Sequence, residues 1–188
     1  MTDTADTFFT ILALIADAAL VVLALVGVAA LASRSGRAGA RRLVATIGPS
    51  ALSLAFLVAA VTTAGSLYYS EIANYTPCVL CWYQRICMYP LVVILGVGWW
   101  RKDAATWLFA APFVVCGTSV ALYHYLVERY PSLGEGLSCS VTAPCTVPYF
   151  ETLGFMTLAW MSLTAFAIIG ALLAADRVWA RSPTGVAP

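Results

Sequence analysis

Five long apolar stretches restrict this chain to a membrane. Each is close to the roughly 20 residues that a helix needs to cross a bilayer. They occupy residues 8–32, 47–70, 78–100, 104–126 and 154–175. Since 62% of the 188 residues are hydrophobic and 10% are charged, no soluble domain of ordinary size fits beside them. The sequence therefore predicts an all-α integral membrane protein.

The first stretch is predicted to be a spanning helix rather than a signal peptide. Residues 1–7 carry Asp3 and Asp6 but no Lys or Arg, and the apolar run that follows is longer than a signal-peptide core. Asp17 is the one charge within it. Because an unpaired carboxylate in lipid is costly, we expect Asp17 to face the bundle or to be protonated.

Positive charge is concentrated at one end of the predicted spans. It lies in residues 33–46, in the 101–103 turn and in the tail, as Arg34, Arg37, Arg41, Arg42, Arg101, Lys102, Arg177 and Arg181. The connections at the other end hold only Arg129. The positive-inside rule then predicts a multi-pass protein of the inner or plasma membrane with a cytoplasmic C-terminus. The net charge of +1 indicates no nucleic-acid partner.

A C-x-x-C pair, Cys78 and Cys81, opens the third stretch. Thr76 is the predicted N-cap and Pro77 the predicted first helical residue, which places both cysteines in the first turn. Free backbone N–H groups and the helix dipole favour a thiolate there. Arg85 follows Cys81 by four residues and shares its helix face. The pattern favours a redox pair over half of a structural zinc site, which would need a second pair and usually histidines.

A second pair, Cys139 and Cys145, lies in the loop 127–153. One interpretation is a static disulfide that closes a small loop. A short bridge in an exposed loop with Pro and Gly is better suited to exchange with an incoming thiol. Both pairs are predicted on the outer side of the membrane, where disulfides persist. Together they indicate a thiol–disulfide relay.

Two polar residues are candidates for holding an electron acceptor. Arg85 is a charged residue within an apolar stretch, and a charge at that position usually indicates a functional site. The other interpretation is that its side chain extends to the lipid headgroups. His124 is the only histidine and could donate a proton or a hydrogen bond to the same acceptor. Its other interpretation is an interfacial residue with a satisfied ring. Glu128 follows His124 by one turn, within contact distance.

At these residues the sequence resembles the DsbB family of membrane thiol oxidases. The first motif is Cys78-Val79-Leu80-Cys81-Trp82-Tyr83-Gln84-Arg85, continuing in Ile86-Cys87-Met88-Tyr89-Pro90-Leu91. The later motifs are Tyr123-His124-Tyr125-Leu126, Tyr130-Pro131, and Cys145 leading to Leu153-Gly154-Phe155. Two features resemble the BdbC branch of this family more than its proteobacterial members, whose loop cysteines are farther apart. They are the short spacing from Cys139 to Cys145 and the run Met88-Tyr89-Pro90.

The resemblance implies an architecture. It divides the chain into 1–46, an extra N-terminal transmembrane helix with a basic cytoplasmic loop, then 47–175, a four-helix transmembrane bundle with the outer cysteine loop, and 176–188, a cytoplasmic tail. The fold expected is thus a four-helix core plus one extra helix. The first helix departs from the four-span family core.

The resemblance also implies a reaction. A DsbA-like thioredoxin-fold oxidase would attack the Cys139–Cys145 disulfide and form a mixed disulfide with Cys139. Cys145 would pass electrons to Cys78, leaving Cys81 as the thiolate that faces a quinone. Arg85 and His124 would lie near the quinone head group, and ubiquinone and menaquinone both stay open. The partners implied are the oxidase, the quinone and membrane lipid.

Other functions compete with this one. A vitamin K epoxide reductase-like enzyme also combines a helix-mouth C-x-x-C with loop cysteines, but its C-x-x-C comes late in the bundle, whereas this one opens the second core span. A non-enzymatic docking protein or metal carrier is another alternative. A carrier would show more His, Met or carboxylate ligands within its spans.

Overall fold

Five long helices make up the computed structural model, which describes residues 2–134 and 143–181. They are α1 (Thr2–Ala32), α2 (Arg34–Leu67), α3 (Val79–Arg101), α4 (Thr106–Arg129) and α5 (Leu158–Ala180). A π-helical turn, Tyr68–Ile72, continues α2, and a short 3-10 turn, Pro131–Gly134, follows α4. All five are long and apolar enough to span a membrane. The predicted all-α membrane fold is confirmed, and the described residues contain no β-strand.

The basic stretch after the first span is helical, not the loop expected for 33–46. A break of one residue separates α1 from α2, where the extended backbone of Ser33 lets its hydroxyl accept a hydrogen bond from the N–H of Gly36 at 3.0 Å. The helix then continues from Arg34 through the arginines. Arg, Ala and Leu are strong helix formers, and a Ser N-cap supplies the start signal, so hydropathy alone placed the boundary too late.

The core lies where α2, α3, α4 and α5 meet. Leu91 and Leu95 from α3 pack there with Phe166 and Ile169 from α5, and all four are fully buried. At Gly117 of α4 a Cβ atom would lie 2.2 Å from the Phe166 ring. Since that separation is far below any van der Waals contact, the α4–α5 packing depends on glycine at this position.

Two aspartates attach α1 to the bundle through hydrogen bonds. Asp17 accepts hydrogen bonds from Trp160 Nε1 at 2.9 Å and from Thr164 Oγ1 at 2.7 Å, both on α5. Nearer the start of α1, Asp6 accepts a hydrogen bond from the Tyr69 hydroxyl at 2.8 Å. The prediction that Asp17 faces the bundle is therefore confirmed. Most other α1 side chains are exposed at the outer surface of the bundle, as expected of a helix surrounded by lipid.

Candidate functional site

The C-x-x-C pair caps helix α3 with its own first cysteine. Cys78 has an extended backbone and is the N-cap, and its sulfur accepts a hydrogen bond from the N–H of Cys81 at 3.3 Å. The prediction that Thr76 is the N-cap and Pro77 the first helical residue was wrong by two positions. The backbone carbonyl of Thr76 instead accepts a hydrogen bond from the Tyr149 hydroxyl. The thiol itself therefore lies where the backbone N–H groups of the first turn are free.

Cys78 and Cys81 are free thiols that face different surroundings. Their sulfurs are 2.8 Å apart, close enough to form a bond with little movement of the backbone. Cys78 is buried and lies 3.6 Å from His124 Nε2. The Cys81 thiol and the His124 imidazole lower the pKa of the Cys78 thiol below its ordinary value, against the effect of burial. Cys81 lies instead on the wall of a large cavity.

A chain of buried polar groups holds His124. Its Nδ1 lies 3.0 Å from Gln84 Nε2, and its Nε2 lies 3.8 Å from a carboxylate oxygen of Glu128. The other carboxylate oxygen accepts a hydrogen bond from Thr157 Oγ1 at 2.6 Å. The predicted proximity of His124 and Glu128 is therefore present. Neither residue lines the cavity, so His124 contacts the cysteine pair from the opposite side.

The loop cysteine Cys145 is packed against the helix-mouth pair. It is 2% exposed, belongs to a disulfide, and shares one buried cluster with Cys78, Leu80 and Val127. Cys81 packs against the same cluster. The structure thus brings together three of the four predicted redox cysteines. Cys139 lies outside the described residues.

Stacked aromatic rings fix the segment that follows Cys145. The rings of Tyr149 and Tyr75 are nearly parallel, with centroids 4.6 Å apart, and Tyr75 stacks on Tyr69 of the π-helical turn at 5.6 Å. Farther along, Glu151 forms an ion pair with Arg129 at 2.9 Å. These contacts hold the segment over the start of α3, beside the two cysteines.

A cavity of about 850 Å³ begins at Cys81 and continues between α1, α2 and α5. Its polar end is formed by Gln84, Arg85 and Ser66, and its far end reaches Leu43 and Leu172. Nearly all of the remaining wall is apolar. Helix α1 contributes Phe9, Leu12, Ala13, Ala16, Ala19 and Leu23. The size and the apolar lining are those of a site for a small organic ligand.

Arg85 is 9% exposed and does not extend to the surface. Its guanidinium donates to the hydroxyl of Ser66 at 3.0 Å and to the backbone carbonyl of the same residue at 2.8 Å. The indole of Trp82 lies 5.3 Å from it. Since a guanidinium has five N–H donors, it keeps further donors for a ligand oxygen.

The predicted site residues Cys78, Cys81, Arg85 and His124 are therefore neighbours, and their roles stay predictions. Four further residues of the site were not predicted from the sequence: Gln84, Thr157, Tyr75 and Tyr149. Gln84 was within the motif that carries the resemblance, which was the one signal for it. The other three are brought to the site by contacts between distant parts of the chain.

The ligand atoms of Cys78, Cys81 and His124 also meet a requirement for metal binding. All three lie within 4.8 Å of one another. No metal site was predicted from the sequence, because a structural zinc site would need a second cysteine pair and usually histidines, and the chain has a single histidine.

Comparisons with known protein families and with individual proteins both identify disulfide bond formation proteins. The family model described as "Disulfide bond formation protein DsbB" matches residues 48–176. The "Probable disulfide formation protein C" of Halalkalibacterium halodurans is 43% identical over 114 residues, covering 61% of this chain and 83% of that protein. The "Disulfide bond formation protein C" of Bacillus subtilis is 38% identical over 118 residues, covering 63% and 86%. No solved structure has a significant match to the chain.

Proposed function

The chain belongs to the DsbB family of disulfide bond formation proteins, and on this basis we propose that it is a thiol:quinone oxidoreductase. It reoxidises a DsbA-like thioredoxin-fold oxidase and passes the electrons through two cysteine pairs to a membrane quinone. The helix-mouth and loop cysteines lie on the outer side of the inner or plasma membrane, and the C-terminus is cytoplasmic. The concentration of Lys and Arg at the opposite helix ends supports this orientation.

One observation carries the proposal. The loop cysteine Cys145 and the helix-mouth cysteine Cys78 share a buried cluster, and the partner of Cys78, Cys81, lies on the wall of an apolar cavity. The loop cysteine Cys145, the Cys78–Cys81 pair and the cavity therefore follow one another in space. That order is what a relay from a soluble thiol to a lipid-soluble acceptor needs.

The relay proceeds by thiol–disulfide exchange. A thiolate of the partner attacks Cys139 and releases Cys145 as a thiolate. Cys145 attacks Cys78 in the Cys78–Cys81 disulfide, and Cys81 leaves as a thiolate. The second partner thiol then releases the oxidised partner, and Cys139 restores the loop disulfide by displacing Cys78. Two electrons have moved from the partner to the helix-mouth pair, which is now a dithiol.

The cavity fits a quinone. Its polar end offers the guanidinium of Arg85 and the amide of Gln84 to the carbonyl oxygens of a head group, and its apolar walls suit an isoprenoid chain. A bound quinone, ubiquinone or menaquinone, takes up two electrons and two protons from the dithiol. Arg85 stabilises negative charge that develops on the oxygen it faces.

His124 acts on Cys78 in the closing step. Cys78 must be a thiolate to reform the bond with Cys81, and the imidazole lies 3.6 Å from its sulfur. Glu128 lies 3.8 Å from the same ring nitrogen, and Gln84 holds the opposite one. The resemblance also implies a contact between His124 and the quinone, and the location of the ring behind Cys78 favours the role at the thiol.

Anaerobic turnover tests the proposal. Purified protein is given a reduced DsbA-type partner and a quinone, and quinone absorbance is followed for the wild type, Cys81→Ser and Cys139→Ser. We expect reduction in the wild type and none in either variant. Cys87→Ser is the matched control. Cys87 is a free cysteine of α3 that is buried in the main hydrophobic core, and it belongs neither to the cavity wall nor to the cluster around Cys78.

The outcomes separate the parts of the proposal. Absence of quinone reduction with every competent partner and quinone rejects the oxidase function. Loss in Cys81→Ser with full activity in Cys139→Ser keeps the quinone site and removes the loop pair from the relay.

A further inference from the structure

We propose that the reduced Cys78–Cys81 pair and His124 form a binding site for a thiophilic divalent cation of the Zn²⁺ type. Bound there, the ion keeps the pair in its dithiolate state and inhibits formation of the disulfide. The inference rests on the arrangement of the three ligands and does not require that a quinone be the electron acceptor.

The distances suit a tetrahedral ion. With Zn–S bonds of about 2.3 Å and Zn–N bonds of about 2.0–2.1 Å, a sulfur and a nitrogen ligand lie about 3.6 Å apart and two sulfurs about 3.8 Å apart. The distance from Cys78 Sγ to His124 Nε2 is 3.6 Å. The two sulfurs are 2.8 Å apart and must separate by about 1 Å to meet the tetrahedral value. Because Cys81 borders the open cavity, its side chain has room for this movement.

The second ring nitrogen of His124 is held as a metal-binding histidine requires. Such a histidine presents a lone pair to the ion and donates its other N–H to a neighbouring acceptor. The side-chain amide of Gln84 lies 3.0 Å from His124 Nδ1. Rotation of that amide by half a turn presents its oxygen to the Nδ1–H group. His124 Nε2 is then unprotonated and points toward Cys78.

Glu128 supplies a further negative charge beside the ligands. One carboxylate oxygen is 3.8 Å from His124 Nε2, and the other is fixed by the hydroxyl of Thr157. Two thiolates and one carboxylate more than balance a divalent cation, which lowers the cost of placing the ion in a buried site. Its carboxylate is not among the three ligand atoms that lie within 4.8 Å of one another, so the fourth position is left to a water molecule.

Binding depends on the redox state of the pair. The disulfide form has no thiolates to offer, so only the dithiol binds the ion. Binding of one Zn²⁺ releases any proton that either sulfur still carries and transfers no electrons. The same sulfur electrons are needed to form the Cys78–Cys81 bond. The ion must therefore dissociate before the pair can be oxidised.

Direct binding to the full-length protein tests the inference. Reduced and oxidised protein in detergent are titrated anaerobically with Cd²⁺, followed by the ultraviolet absorption of the thiolate–cadmium bond, and with Zn²⁺ against a chromophoric chelator. We expect one ion per chain in the reduced protein, release of protons on binding, and no binding in the oxidised protein. Cys78→Ser should abolish binding, and His124→Ala should weaken it by at least about tenfold.

Matched variants test whether other cysteines of the chain bind the ion. A Cys139→Ser/Cys145→Ser double variant, and separately Cys87→Ser, should bind the ion as the wild type does. Loss of binding in either would place the site elsewhere and overturn the inference. Unchanged affinity in both His124→Ala and His124→Gln would also overturn it, because the ion would then need only the two thiols.

The test is separate from that of the oxidase function. Ion binding is measured without partner or quinone, so an inactive protein that still binds one ion through Cys78, Cys81 and His124 would reject the proposed activity alone. Each variant is accepted only with a thermal unfolding transition like that of the wild type. The Cys→Ser changes are nearly isosteric and are expected to satisfy this criterion.

Discussion

Replacing His124 by alanine is expected to raise the pKa of the Cys78 thiol. The neighbouring Cys81 thiol and the His124 imidazole together lower that pKa in the dithiol state, and the variant keeps only the first contribution. A hydrogen bond to a charged group contributes about 1.5–3 kcal/mol, and about 1.4 kcal/mol corresponds to one pKa unit. Loss of the imidazole should therefore raise the pKa of Cys78 by about one to two units.

The sign of the pH effect follows from which form reacts. Cys78 is a thiolate above its pKa, and the thiolate is lost as the pH falls through that value. In His124→Ala this loss begins at a higher pH. The ratio of wild-type to variant turnover should therefore be largest, about 10- to 100-fold, at low pH. It should approach one above the raised pKa, because Cys78 is then ionised in both proteins. Glu128, the other titratable group behind Cys78, is retained in both.

Two measurements check this prediction together. Anaerobic turnover at saturating partner and quinone gives the pH–rate profile, and the ultraviolet absorbance of the thiolate in the reduced protein gives the titration, with Cys78→Ser as its baseline. His124→Gln retains a hydrogen-bond donor and should shift both curves less than His124→Ala does. A loss of rate by one constant factor at every pH, with an unchanged thiolate titration, would refute the reasoning. It would place the histidine at the quinone instead.

Three further changes test the bundle and its cavity. Asp17→Leu removes the acceptor of two α5 donors and should destabilise the protein by about 1–3 kcal/mol in thermal unfolding, whereas an unchanged transition would show that the contact contributes nothing. Gly117→Ala should lower the free energy of unfolding by about 1–3 kcal/mol in the same assay, because its methyl group would overlap the Phe166 ring. A variant as stable as the wild type would contradict this close approach of α4 and α5. Ala16→Trp fills part of the cavity and should raise the KM for quinone by about fivefold or more, while Ala24→Trp on the exposed face of the same helix should not; equal effects would argue against quinone in this cavity.

The helices were predictable because each contains a long apolar run. Hydropathy placed α3 at 78–100 against the observed Val79–Arg101. It was less accurate where helix and apolar run do not coincide. The α5 boundary was placed four residues early, since Leu153 and Gly154 adopt positive φ angles and cannot continue into a helix. The start of α2 was missed because its first turns are rich in arginine and still helical.

The site was predictable only where its residues are close in sequence. Cys78, Cys81 and Arg85 lie within three turns of one helix, so spacing alone places them together. The contact between His124 and Cys78 joins residues 46 positions apart, and that between Asp17 and Thr164 joins residues 147 apart. Such contacts follow from how whole helices pack. A single sequence without aligned relatives contains no direct record of that packing.

Helix α1 lies outside the matched family segment, which begins at residue 48, yet it forms one wall of the cavity. An isoprenoid chain that leaves this wall passes into lipid of the same polarity, so burial against α1 brings it no hydrophobic gain. The helix therefore contributes little to how tightly a quinone is held. Its effect is geometric, because the hydrogen bonds from Trp160 and Thr164 to Asp17 fix it across the side of the cavity between α2 and α5. If a quinone enters this cavity between α2 and α5 it passes α1, so we expect α1 to affect the rate of quinone exchange more than the affinity.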